Sequence, residues 1–340
     1  MLDDSHPQDQ QGGPDIAPLH FFAGTLLFAA LAPLVMGSTG NASTVLVFAI
    51  AAAAANLLLG YAGLLSFAQG TFFGVGSYVT GMLLLRWPGL GLSVVLAALL
   101  AGGLTALVIG LLCIRQRGVY FVMITLAMAQ LGYFAALSFP DWTGGENGLV
   151  AIPRPKIALG GLQLSMEVPL QRYLVIAAMF VAALMLLHRI VHSPFGKVLD
   201  ALRENEVRVV TLGLDAARIK ILAFCLSGAI TAVAGALFAL HIGSAPVSNI
   251  DLLTSESILI MAILGGRRSL LGAALGALAL TLMSELISPL WPRWQLIVGL
   301  VLIATVLFAP DGLGGALASA RQRWNERKRA AAPALPKEAA

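Results

Sequence analysis

The feature that most constrains this chain is a succession of long apolar segments almost free of charge, near residues 19–36, 42–59, 65–85, 92–114, 119–139, 173–187, 222–240, 250–266, 270–287 and 294–308. A segment of roughly 17 to 25 such residues spans a bilayer as a helix, the one conformation that satisfies every backbone N–H and C=O within the segment itself. Continuous runs of this length also exclude a membrane β-barrel, whose strands alternate in polarity. The expected fold is an all-α integral membrane protein, a polytopic bundle of about ten transmembrane segments. Two segments are weaker: 173–187 is short, and 250–266 contains Asp251 and Glu256, so either is open to a re-entrant or tilted course. Composition agrees, because only 11% of the 340 residues are charged, too few to cover a soluble globule, which carries about 25%.

The net charge of +4 does not point to nucleic acid, because the basic residues gather in the connections. Arg115 and Arg117, the group Arg189, Lys197, Arg203, Arg208, Arg218 and Lys220, the pair Arg267 and Arg268, and the tail Arg321–Arg329 all alternate onto one side. By the positive-inside rule that side is cytoplasmic, which places both termini inside and the connection 140–171 outside. The expected divisions are a disordered cytoplasmic tail (1–18), a transmembrane region (19–187), a cytoplasmic loop (188–221), a second transmembrane region (222–310) and a basic cytoplasmic tail (311–340). The N-terminal tail is acidic and proline-bearing, without the basic start of a cleaved signal peptide. Cys113 and Cys225 lie inside apolar runs and read as small buried hydrophobes. His188 and His192 stand at i, i+4 without further ligands, so no metal site is expected.

Three stretches carry more than topology. Residues 56–76 read NLLLGYAGLLSFAQGTFFGVG, five glycines with a serine and a glutamine and no charge. Glycine permits either a break in a membrane helix or close packing between two ordinary helices, as the spacings Gly70-xxx-Gly74 and Gly272-xxx-Gly276 also allow. In the inner loop, Ser193 can cap a helix with Pro194 at its first position. Val198, Leu199 and Leu202 fall on one face, and Gly213 suits the stop or a following bend. In the outer connection Trp142 fits an interfacial anchor, and Asp141 and Glu146 are acids available either to a partner or to solvent.

These pieces together resemble a family, the membrane-spanning permease subunits of bacterial ABC importers for branched-chain amino acids, and within it the longer of the two permeases. The resemblance rests on GYAGLLSFAQGTFFGVGSYVTG (60–81), TGGENGLVAIPRP (143–155), SPFGKVLDALRENEVRVVTLGLD (193–215) followed by KILAF (220–224), ILGGRRSLLGAALGA (263–277) and LFAPDGLGG (307–315). It implies a type II ABC-importer-like fold in the bacterial inner membrane. The implied assembly contains a second homologous permease, two cytoplasmic ATPase subunits and a periplasmic substrate-binding protein. Under this resemblance Gly60, Gly63, Ser66, Gln69 and Gly70 form a broken or re-entrant element on the substrate pathway. Leu199, Leu202, Arg203, Glu204, Glu206 and Gly213 belong to a coupling helix that docks on the ATPase, and Asp141 and Glu146 face the periplasmic partner. No G-x-x-x-x-G-K-[ST] run occurs, so no catalytic residue and no cofactor is expected in this chain, ATP being bound by the partner subunits. The sequence departs from the family pattern at Arg268 and Ala273, where a glycine and a proline are usual, which puts a special backbone turn there in doubt. It also has Val209 and Val210 where an alanine is common. A urea or short-amide permease is the alternative within this class. An ion-coupled secondary transporter is disfavoured because intramembrane acids are few, namely Glu256, Glu285 and Asp251.

Overall fold

A computed structural model describes residues 18–159, 162–266, 268–308 and 312–315. The acidic N-terminal stretch 1–17, Arg267 and most of the basic C-terminal tail, on which part of the expected topology rests, lie outside the described residues. The chain begins with α1 (Pro18–Met36) and α2 (Thr39–Asn56), which continues as a π-helical turn (Leu57–Ala62). It proceeds through α3 (Gln69–Arg86), α4 (Ser93–Cys113) and α5 (Val119–Ser138). The connection that follows contains the single-turn α6 (Pro140–Thr143) and an antiparallel hairpin of β1 (Lys156–Leu159) and β2 (Leu162–Ser165), with Lys156 opposite Ser165. Then come α7 (Pro169–Val191), the short α8 (Pro194–Glu204) and α9 (Glu206–Thr211), α10 (Ala216–Ile242), α11 (Leu252–Gly265), α12 (Leu270–Ile287) and α13 (Trp294–Phe308). The bundle is all-α, and the hairpin is a small exception outside it.

Seven of the described helical stretches are long and apolar enough to cross a bilayer, and the chain is a multi-pass membrane protein. The stretch 173–187, which looked short, is the middle of the 23-residue α7, whose ends carry Gln171, Arg172, His188 and Arg189 and so fall outside an apolar window. The other three expected segments are α3, α11 and α13. α3 has 18 residues but carries Gln69, Thr71, Ser77, Thr80 and Arg86. α11 has 14 residues, about 21 Å at 1.5 Å per residue, short of a bilayer core of about 30 Å. It starts inside the bundle, with Asp251 Oδ1 accepting the Leu252 N–H at 2.6 Å and the Asp251–Ser255 backbone lying against Gly70 of α3.

Small residues decide which helices are central. α2 and α10 are the most buried of the candidate spans. Ala51 to Ala55 of α2 are all at most 2% exposed, and on α10 Gly228 lies against the side chains of Ala106 and Phe72 and Gly235 against the backbone of Phe73. Among apolar lipid chains, leucine gains nothing by facing inward, whereas glycine and alanine let helix axes approach and gain dispersion contacts. α13 shows the converse, with Leu296, Leu300, Ile303 and Phe308 turned outward and Val298 buried. Both anticipated glycine spacings serve close approach: Gly70 and Gly74 meet residues 250–255, and Gly272 and Gly276 meet Gly265 and Met261.

α3 and α10 approach backbone to backbone: a Cβ at Gly76 would collide with the Ala232 carbonyl and one at Gly235 with the Phe73 carbonyl. Neither carbonyl can rotate away without breaking its helix. Gly235→Leu should therefore lower the thermal midpoint of the detergent-purified protein by about 1–4 °C, from overpacking of about 1–3 kcal/mol. Gly299→Leu, at a position with nothing within 4 Å of the new Cβ, should leave it unchanged.

Candidate functional site

The glycine-rich stretch is a real discontinuity. α2 passes into the π-turn Leu57–Ala62, which Gly63 ends in the left-handed region at φ 68°. Residues 63–68 are not helical, and α3 starts only at Gln69. The freed N–H groups find hydroxyls from several elements: Phe67 N donates to Thr125 Oγ1 of α5 at 3.3 Å, Ala68 N to Ser66 Oγ at 3.2 Å, and Gly70 N to Ser255 Oγ of α11 at 2.8 Å. Serine and threonine are the side chains that repair a break in a membrane helix in this way. Gln69 is buried and bonded at both ends of its amide, its Nε2 donating to Ser227 Oγ at 3.1 Å and its Oε1 accepting from Thr231 Oγ1 at 2.8 Å, both on α10. Ser227 in turn donates to the Ala54 carbonyl at 2.7 Å, which ties α2, α3 and α10 into one polar relay. Left unpaired, the glutamine amide would cost about 1–3 kcal/mol.

Gly63 and α8 touch: a Cβ at Gly63 would lie 3.0 Å from Arg203 Cγ, and the Arg203 guanidinium donates to the Gly60 carbonyl. The helix expected from 193 onward is in fact two. α8 ends at Glu204, and Asn205 starts α9, its Oδ1 accepting the Arg208 N–H at 3.1 Å. Ser193 occupies the N-cap position of α8, but its hydroxyl donates backward to the Ile190 carbonyl at 2.6 Å and caps nothing. Leu199 and Leu202 are buried, Leu202 in a small cluster with Val209 and Ala216 that seats α8 and α9 on the start of α10. Glu206 is half-buried and pairs with Lys220 at 2.9 Å and Arg117 at 3.4 Å. Glu204 is exposed, as is Gly213, whose φ of 83° makes the bend after α9. The outward face also presents Val207, Val210, Leu212 and Leu214, apolar side chains between 42% and 74% exposed. Of these the sequence singled out Val210 alone, as a departure from the family pattern; the signal for the others was the run VRVVTLGL, apolar residues in a stretch bounded by charge rather than by bilayer.

A third element joins the same place. Asn56, at the end of α2, donates from Nδ2 to the carbonyls of Gly266 at 2.9 Å and Ser269 at 3.1 Å and accepts the Arg268 N–H at 3.3 Å. Tyr61 donates its hydroxyl to the Arg268 carbonyl at 2.8 Å. The α11–α12 turn is thereby bonded to the π-turn on both faces of the Arg268 peptide. The left-handed turn is present although glycine is not: Arg268 has φ 65°, a conformation that costs a side-chain-bearing residue about 1–2 kcal/mol. Its guanidinium reaches α8 and pairs with Asp200 Oδ2 at 2.8 Å. Burial pushes the Asp200 carboxyl above the usual carboxylate range, against the opposing pull of Arg268 and Arg203. Its second oxygen, Oδ1, is buried without a hydrogen-bond partner among the described residues.

The remaining sequence candidates lie elsewhere. Asp141 and Glu146 are exposed on the opposite connection, which is held to the bundle by mutual backbone bonds between Leu149 and Ala245 of 3.0 and 2.7 Å. Glu256 is half-buried on α11, and Glu285 is exposed near the end of α12. His188 stacks on Phe21 at 4.1 Å between ring centroids, and the His192 ring contacts the His188 carbonyl at 2.8 Å.

Comparison with known proteins places this arrangement. The chain is 29% identical to the high-affinity branched-chain amino acid transport system permease protein LivM of Salmonella typhimurium, over 86% of this chain and 74% of that protein. The LivM protein of Escherichia coli gives the same values. A probable branched-chain amino acid transport permease protein LivH of Methanocaldococcus jannaschii is 29% identical over 74% of this chain and 82% of that protein. No solved structure matches the chain. The family model described as branched-chain amino acid transport system / permease component matches residues 39–307, from the start of α2 to the last turn of α13, and so takes in the break, α8 and the Arg268 turn together. The chain belongs to that family of permease components.

Proposed function

We propose that this protein is the transmembrane permease subunit of an ATP-driven importer of branched-chain amino acids in a bacterial inner membrane. It forms part of the translocation path and receives its driving force from separate ATPase subunits. The reading carries four partners: a second homologous permease, two cytoplasmic ATPase subunits and a periplasmic binding protein. The observation that carries it is the pairing of two faces on α8 and α9. One face is bonded to the discontinuity at Gly60 and Gly63, and the other presents Glu204, Val207, Arg208, Val210 and Leu212 to a partner. A helix bonded to a broken span on one side and free on the other is suited to pass a displacement inward. The four exposed apolar side chains fit a partner's groove better than water.

On this reading the α8 end faces the cytoplasm. His188 at the end of α7 stacks on the first turn of α1, and Gly312 lies against Gly266, so the beginning of α1 and the segment after α13 share that end. This supports two cytoplasmic termini. Asp141 and Glu146 then face the periplasm, where exposed acids can steer a binding protein with basic rims. The amino-acid substrate, rather than urea or a short amide, is supported by the names of the relatives. Without a nucleotide-binding loop of its own, the chain is a transport subunit and not an enzyme.

Co-expression with a second permease of the family, ATPase subunits and a binding protein tests the reading. The ATPase subunits should co-purify with this chain, and leucine-loaded binding protein should stimulate hydrolysis in the reconstituted complex. Robust ATP hydrolysis by the isolated chain, or no stimulation by any branched-chain amino acid, would overturn it.

A further inference from the structure

Resting on the coupling role proposed above, we infer that Arg268 is a positioning residue, the turn-side half of a latch with Asp200 through which α8 holds the α11–α12 turn as well as the broken span. The backbone of residue 268 has no freedom to choose its conformation. Its N–H is bonded to Asn56 and its carbonyl to Tyr61, and together these hold φ at 65°. Any residue placed here must adopt the left-handed region, and glycine would do so without strain. What arginine adds is its side chain, and that side chain makes an ion pair with Asp200 at 2.8 Å, both partners being about two-thirds buried.

Asp200 and Arg203 stand three residues apart on α8, on the same side of the helix. One reaches the Arg268 guanidinium and the other the Gly60 carbonyl. One turn of α8 thus grips two different segments: the π-turn that ends α2, and the connection that orients α11 and α12. These segments are joined to each other through Asn56 and Tyr61. A displacement of α8 cannot move the broken span alone while the latch holds. It moves the span and the α11–α12 turn as one unit, and α11 carries Ser255, the acceptor for the first turn of α3. The latch is therefore the contact that converts a local shift at α8 into a joint movement on both sides of the break. Burial of the pair protects it from screening by salt, which an exposed pair would not escape.

The test uses the reconstituted complex in nanodiscs, comparing wild type with Arg268→Gly, Arg268→Asn, Asp200→Asn and the exchanged pair Arg268→Asp with Asp200→Arg. Glycine and asparagine both accept the left-handed backbone, so the first two variants remove the cation without adding strain. Relief of the backbone strain opposes the cost of leaving Asp200 unpaired, so the proteins should still fold and assemble, while the ratio of stimulated to basal ATPase activity falls at least threefold. Asp200→Asn should lower the ratio similarly. The exchanged pair, in which aspartate also tolerates the left-handed region, should restore at least half of the wild-type ratio. A wild-type ratio in Arg268→Gly, or no recovery in the exchanged pair when it folds with a wild-type midpoint, would overturn the latch while the coupling role stands. Loss of stimulation in the wild-type complex itself would overturn both.

Discussion

Replacing Gly63 by leucine should reduce uptake by the reconstituted complex at least tenfold while the protein still inserts and accumulates in the membrane. Two effects combine at this position. Leucine at φ 68° bears the left-handed penalty of about 1–2 kcal/mol. Its Cβ also falls 3.0 Å from Arg203 Cγ, so the arginine must leave its place beside the Gly60 carbonyl. Gly37→Leu separates the two effects, because Gly37 has φ 63° but nothing within 4 Å of a new Cβ. That variant carries the backbone strain alone and should retain most of its uptake. Uptake in proteoliposomes, normalised to the protein present, decides the matter. Undiminished transport by Gly63→Leu would show that the contact between α8 and the break has no role in the cycle.

Charge reversal on α8 should abolish substrate-stimulated hydrolysis by two separate routes at neighbouring residues. Arg203 faces the bundle and Glu204 faces outward. Arg203→Glu places a carboxylate against the Gly60 carbonyl, an interaction that repels at both ends. The ATPase subunits should still co-purify, but binding protein should no longer stimulate them. Glu204→Lys alters the surface offered to the partner, so here co-purification itself should weaken, more so at low ionic strength where charge complementarity counts most. Pull-down yield and stimulated ATPase activity, measured on both variants, distinguish the routes. Wild-type stimulation in both would remove α8 from the coupling path, since a helix that merely lies on the surface tolerates such changes to within about 0.5 kcal/mol.

The difference between these two residues marks the limit of what the sequence could tell. The amphipathic period of 193–213 identified Leu199 and Leu202 as one face, and both are buried. Arg203 stood among the expected contacts to the ATPase, because a helical period ranks residues by polarity and a guanidinium that bonds a carbonyl inside the bundle looks the same as one in water. Its acceptor, Gly60, lies 143 residues away in the chain, and no local pattern reports such a pairing. The division of that stretch at Asn205 was in principle legible, since asparagine is a strong helix N-cap, but a continuous apolar face concealed it. Gln69 is a similar case. The cost of an unpaired amide required a partner, and Ser227 and Thr231 of α10 were indistinguishable from the other hydroxyls in the apolar runs. Arg268 was singled out by its departure from a family pattern, but the departure pointed away from a special turn. The turn survives because Asn56 and Tyr61 impose it from outside.

The five consecutive alanines of α2 divide this chain into regions that can drift at different rates. Ala51 to Ala55 touch neighbours on every side of the helix and are at most 2% exposed. Any replacement other than glycine or serine adds volume where no space exists, at about 1–3 kcal/mol. Glycine removes a methyl and loosens the helix by about 1 kcal/mol. A mutation in this stretch therefore has almost no neutral destination. On α13 the outward Leu296, Leu300 and Ile303 can exchange among leucine, isoleucine, valine and phenylalanine with little change in free energy, because the lipid opposite them has no shape to match. Two descendants of one ancestor could thus differ at most of α13 while remaining identical through the middle of α2. Identity averaged over the whole chain would then understate how closely their centres still correspond.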